Sequence, residues 1–75
     1  MKIQTKEIGS KGIFYIEVDE IKLAEMTYSK AGENMIIIDH TEVSEQLKGK
    51  GAGKLLVEAA VAHARLQHIK ILPLC

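Results

Sequence analysis

At Ala52 the spacing of apolar residues changes from alternate to helical, and three glycines stand at the change, in Lys48-Gly49-Lys50-Gly51-Ala52-Gly53-Lys54. Strand-forming sequence therefore lies on one side of a loop whose backbone can be approached closely, and a helix begins at its end. Few folds of 75 residues satisfy both conditions.

Upstream, Ile3 to Ile8 alternates with polar residues, and Gly9-Ser10-Lys11-Gly12 predicts a turn before Ile13-Phe14-Tyr15-Ile16-Glu17-Val18. Asp19 to Lys22 predicts a second turn, followed by a strand at about 23–29. Ala31 to Asn34 predicts a third turn, followed by a strand at about 35–40. The economical arrangement is a four-stranded antiparallel meander. Downstream, a helix is predicted from Ala52 to about His68, with Leu55, Leu56, Ala59, Ala60, His63 and Leu66 on its apolar side. Ile69 to Leu72 then predicts a last strand. A strand, a helix and a strand on one sheet imply a right-handed parallel crossover. The predicted class is therefore α/β (α+β): a mixed, mostly antiparallel sheet crossed by one helix, in a single domain over residues 1–75.

Ten basic and ten acidic side chains cancel, so no global field holds a nucleic-acid backbone or an anionic membrane, and neither partner is expected. The apolar runs are too short to span a bilayer, and the N-terminus lacks the pattern of a secretory signal. A single cysteine, Cys75, fits a reducing compartment, so a cytoplasmic protein is expected. No metal site is expected: His40, His63 and His68 do not have ligand spacing, and the last two stand about 140° apart around a helix.

The loop is the sharpest chemical signal. Free amides and the positive end of the helix face an anion, Gly49, Gly51 and Gly53 let it come close, and Lys48, Lys50 and Lys54 add local charge. A pyrophosphate suits this arrangement; the competing reading is a glycine turn with solvated lysines. A Walker A loop would need glycine at Lys48 and Ser or Thr at Leu55. The dinucleotide fingerprint needs a different glycine spacing, and no acidic residue follows Glu58 to hold a ribose.

The remaining pattern resembles the pyrophosphate loop of the GNAT acetyltransferase superfamily, Gln/Arg-x-x-Gly-x-Gly/Ala at a helix start, which falls here on Lys48, Gly51 and Gly53. Lysine replaces the usual Gln or Arg. The resemblance runs from about Phe14 to Cys75, and Ile38-Asp39-His40-Thr41-Glu42-Val43 and Ile71-Leu72-Pro73-Leu74-Cys75 are similar to the small stand-alone branch, whose members usually continue with a further helical segment. It implies an enzyme that binds acetyl-coenzyme A through Val43 and residues 48–54, with Ala52 among them, and transfers acetyl directly to an amine in a ternary complex. The identity of that amine is not legible in the sequence. The alternatives are a non-catalytic acyl-coenzyme A module and a small protein-interaction domain that pairs through a strand edge.

Two catalytic candidates follow from where the strands end. His40 can serve as general base or be a strand-end histidine bonded to nearby backbone. Cys75 can protonate a departing thiolate, act as nucleophile, or be a small buried hydrophobe. Asp39 and Glu42 are alternative bases, and strict alternation would put Asp39 and His40 on opposite faces. His63 is expected to be a hydrogen-bonded core residue.

Overall fold

The computed structural model describes residues 1–74; Cys75 lies outside the described residues. Five strands, β1 (Gln4–Ile8), β2 (Lys11–Val18), β3 (Ile21–Lys30), β4 (Met35–Val43) and β5 (Lys70–Pro73), form one sheet in sequence order. The first four pair antiparallel, and β5 pairs parallel to β4. Between β4 and β5 the chain passes through a short 3-10 turn (Glu45–Leu47) and the helix α1 (Ala52–Gln67). The class read from the sequence, mixed and mostly antiparallel with one helix, is the class observed.

Two turns are tighter than the sequence suggested. Asp19 and Glu20 alone connect β2 to β3, both with positive φ, 52° and 66°. That is the two-residue hairpin whose twist matches its strands, so Ile21 and Lys22 belong to β3 rather than to the turn. Likewise Gly9 and Ser10 connect β1 to β2, and Gly12 is a strand residue. A Cβ on Gly12 would run into the ring of Tyr28, which crosses β2 at this point.

The helix buries one row, Ala52, Leu56, Ala60 and Ala64, at intervals of four. Three alanines in that row bring the helix close to the sheet, and Leu56, at 0% exposure, belongs to the same core cluster as Phe14, Ile16, Met26 and Ile36. Leu66 departs from the predicted apolar side and is 77% exposed. It follows Ala64 by two residues, about 200° around the axis, so it points away from the sheet.

Candidate functional site

The site is framed where β4 leaves β5. β3 and β4 pair regularly as far as Tyr28 opposite Ile38 and resume with Thr27 opposite His40, so Asp39 is an extra residue in β4. A bulge of this kind bends its strand and sharpens the local twist. The parallel ladder ends at the same level, with Ile38 opposite Pro73 and a last bond from Leu74 N to Ile38 O at 3.2 Å. β4 runs on to Val43, and β5 stops at Pro73. Beyond the bulge, β4 thus has no β5 neighbour among the described residues.

The bulge also changes which way side chains point. Thr27, Ser29 and Lys11 share the face away from the helix, and Asp39 accepts a hydrogen bond from the Ser29 hydroxyl at 2.6 Å. His40, opposite Thr27, lies on that same face. The expected alternation of Asp39 and His40 is therefore wrong, because the extra residue breaks the two-residue period. His40 is half exposed, its Nε2 stands 3.8 Å from Glu42 Oε2, and its carbonyl accepts from Thr27 Oγ1 at 3.5 Å. That separation is longer than a hydrogen bond, so the carboxylate acts on the imidazole through charge and does not fix its ring.

On the helix side, Leu47 is buried at 8% exposure and pins the start of the glycine loop to the core. Lys50 N bonds to Leu47 O at 3.1 Å, and the helical ladder opens with Leu55 N to Gly51 O at 3.0 Å. Between these, the amides of Gly49, Gly51, Ala52, Gly53 and Lys54 donate to no backbone oxygen among the described residues. No side chain caps the helix and no acidic residue stands in its first turn. Gly49 and Gly51 both have φ of 78°, where a side chain is strained. Gly53 is different: it is helical, and a Cβ there would meet nothing within 4 Å. Free amides, the positive helix end and open space together suit an anion held by backbone.

Starting at Val57, one helical turn beyond Gly53, a cavity of about 310 Å³ lies between sheet and helix, lined by Met26, Ile38 and Thr41 on the strands, Val57 and Val61 on the helix, and Pro73 on β5. It is almost wholly apolar and sits at the parting of β4 and β5. Sequence reading did not single out these residues. The available signal was Val57 and Val61, two β-branched residues one turn apart on an otherwise alanine-rich helix.

The other residues named from the sequence divide. Val43 pairs with Ala24 and packs against the core below the loop. The Lys48 ammonium is held by Glu45 Oε1 at 2.7 Å and is exposed, so part of its charge is already answered. Lys50 and Lys54 are exposed. Cys75, named as a possible acid or nucleophile, lies outside the described residues. His63 is not the hydrogen-bonded core residue expected. Its ring packs edge-on against Phe14 at 5.5 Å and tilted against Tyr28 at 5.9 Å, and no protein group bonds its nitrogens among the described residues. Among those residues no group of histidine, cysteine or carboxylate side chains could hold a metal, and no helix is long and apolar enough to cross a membrane.

Comparison with known proteins places this geometry. The profile of the GCN5-related N-acetyl-transferase family matches residues 13–75. A GCN5-like protein from Staphylococcus aureus, solved by NMR, is 46% identical over 96% of this chain and 70% of its own, with a TM-score of 0.70. Ribosomal-protein-alanine N-acetyltransferase from Brucella melitensis biovar Abortus 2308 superposes with a TM-score of 0.76 at 18% identity, over 88% of this chain and 51% of its own, so this chain spans about half its length. The aminoglycoside N-acetyltransferase AAC(6')-Iy, solved with coenzyme A, superposes with a TM-score of 0.68 at 11% identity, over 88% of this chain and 56% of its own. These last two show the fold alone. No curated protein sequence matches the chain.

Proposed function

The chain belongs to the GCN5-related N-acetyltransferase family, and from that premise we propose that it binds acetyl-coenzyme A at the start of α1 and transfers the acetyl group to an amine. The observation that carries the reading is the set of five unpartnered amides at Gly49, Gly51, Ala52, Gly53 and Lys54, with an apolar cleft that begins at Val57, one helical turn beyond Gly53. A pyrophosphate with a long, mostly apolar arm has both halves of its chemistry answered there. The fold also gives support: Gly53 occupies a helical position with open space in front of it, where alanine would favour the helix by about 1 kcal/mol. Packing does not explain that glycine, whereas close approach of a ligand does.

In this reading the loop amides hold the pyrophosphate, and Lys50 and Lys54 contribute screened charge from exposed positions. Lys48 contributes less, since Glu45 shares its ammonium. Met26, Ile38, Val57 and Val61 exclude water from the arm, which reaches the parting of β4 and β5. When bound, acetyl-coenzyme A supplies the activated acyl thioester. His40, with the Glu42 carboxylate nearby on the far face of the sheet, takes the proton from the attacking amine. Orientation of amine and thioester at the parting supplies much of the rate.

Thermal denaturation with added acetyl-coenzyme A tests binding. At about one hundred times its dissociation constant the ligand should stabilise the fold by about 2.7 kcal/mol. For a domain of this size that is a rise in Tm on the order of 10 °C. Release of free thiol in the presence of a panel of amines tests transfer. An unchanged Tm at millimolar acetyl-coenzyme A rules out the reading; a raised Tm with no thiol released by any amine reduces it to binding alone.

A further inference from the structure

Two anchors in the core require one extra residue in β4. Ile38 lies opposite Tyr28 and Val43 opposite Ala24, and just beyond them Ser44 N bonds Leu23 O at 2.8 Å. From the first pair to the second, β3 advances four residues and β4 advances five. Burial holds both ends, since Tyr28, Ile38 and Ala24 are core residues and Val43 packs against the same cluster. Pairing without an extra residue would put Glu42 in the place of Val43, with its carboxylate turned into the core. The core thus demands a bulge, but it does not say which residue is the extra one.

Asp39, His40 and Thr41 would each satisfy the anchors, with different results. As observed, Asp39 is extra, His40 stands opposite Thr27 and Thr41 opposite Met26. With His40 extra, Asp39 would take the place opposite Thr27 and the histidine would drop out of the ladder. With Thr41 extra, His40 would lie opposite Met26, which lines the apolar cleft on the helix side. Local contacts must choose. The half-buried Ser29 hydroxyl on β3 donates to Asp39 Oδ2 at 2.6 Å, and Lys11 Nζ on β2 donates to Ser29 Oγ at 2.6 Å. An ammonium only donates and a hydroxyl has one proton, so Lys11 directs the Ser29 proton to Asp39. Its own bond is exposed and contributes less. In both alternatives Asp39 faces Thr27 and is a diagonal neighbour of Ser29. Diagonal neighbours are about 7–8 Å apart, a distance that long side chains bridge and short ones such as serine and aspartate do not.

We propose that Ser29 is a positioning residue: its bond to Asp39 selects that residue as the extra one and so holds His40 on the sheet face away from the helix. Thr27 adds a weaker contact in the same register, Oγ1 to His40 O at 3.5 Å. The consequence for acetyl transfer rests on the reading of His40 as the base. The consequence for the register of β4 does not.

Cross-strand nuclear Overhauser contacts in the ¹⁵N,¹³C-labelled full chain read that register directly. In Ser29→Ala, backbone contacts between Thr27 and His40 should give way in part to contacts between Thr27 and Asp39, with the Ala24 to Val43 contacts unchanged. At the same time kcat should fall roughly tenfold to 10²-fold, while acetyl-coenzyme A affinity stays within about twofold of the parent. Ser29→Thr keeps the hydroxyl and should restore both the contacts and kcat. The proposal is overturned by parent-like contacts between Thr27 and His40 in Ser29→Ala, by an undiminished kcat, or by a loss that Ser29→Thr does not restore. A parent without turnover would count against the transfer reading alone, because the contacts still decide the register.

Discussion

The hydroxyl of Tyr28 on β3 donates to Oε1 of Glu7 on β1 at 2.7 Å, although β2 lies between their strands. It can do so because Gly12, opposite Tyr28 on β2, has no side chain in the way of the ring. Three strands are thereby tied by one side chain. Gly12→Ala puts a methyl group into a fully buried ring that cannot swing aside, and it should destabilise the fold by about 1–3 kcal/mol. Denaturant titration measures this. In Tyr28→Leu, which removes the ring, the same glycine change should have a much smaller effect, so the double mutant is strongly non-additive.

The pair also sets a response to acid. Hydrogen bonds from Lys30, then Tyr28, hold the Glu7 carboxyl below its ordinary value of 4.5, while burial and Glu7 itself push the Tyr28 hydroxyl well above the usual phenol range. A carboxyl depressed in the folded state adds stability that is present above its ordinary pKa and is lost as pH falls through the folded value. The chain should therefore lose stability as pH falls below about 4.5, faster than Glu7→Gln does. Equal acid sensitivity of the two proteins in denaturant titrations at pH 3 to 6 would show that other carboxylates govern the transition.

Much of this was legible locally and some was not. The meander, the helix start at Ala52 and the glycine loop follow from period and turn chemistry within a few neighbouring residues. The bulge at Asp39 does not, since an inserted strand residue has the same composition as a paired one and only the partner strand reveals it. That single residue reverses the expected relation of Asp39 to His40. Gly12 read as a turn glycine for a similar reason: its purpose is set by Tyr28, sixteen positions away. The ring contacts of His63 are made with Phe14 and Tyr28, which no window along the helix contains.

The glycines of the loop should separate by conformation. Gly53→Ala is expected to stabilise the ligand-free chain by about 0.5–1 kcal/mol, as alanine is the better helix former and meets no atom there. It should at the same time weaken acetyl-coenzyme A binding. Gly51→Ala should destabilise the free chain by about 1–2 kcal/mol, because φ is 78°. Paired Tm and titration calorimetry measurements read both quantities. A Gly53→Ala protein that binds as well as the parent would mean that the ligand does not approach this backbone.

The cleft can be tested apart from the loop. Val61→Phe narrows the cavity beside Ile38 and Thr41 from a half-exposed helix position, leaving residues 48–54 untouched. Affinity for acetyl-coenzyme A should fall at least tenfold, roughly 1.4 kcal/mol. The nucleotide half of coenzyme A, lacking the pantetheine arm, should bind as before. Equal losses for both ligands would place the arm elsewhere.

His40 is the group whose role the bulge most affects, since the extra residue puts it on the face away from the helix with Glu42 Oε2 3.8 Å from its Nε2. If the amine approaches from that face, His40→Ala should lower kcat by roughly 10²-fold to 10⁴-fold with little change in affinity for acetyl-coenzyme A. Glu42→Gln keeps the imidazole but removes its carboxylate partner, and should give a smaller loss in kcat. Steady-state kinetics with each substrate varied in turn separates the cases. Undiminished turnover in His40→Ala would remove the histidine from the chemistry and leave orientation at the parting of β4 and β5 as the main source of rate. A loss confined to KM for the amine would make His40 a binding residue for the acceptor.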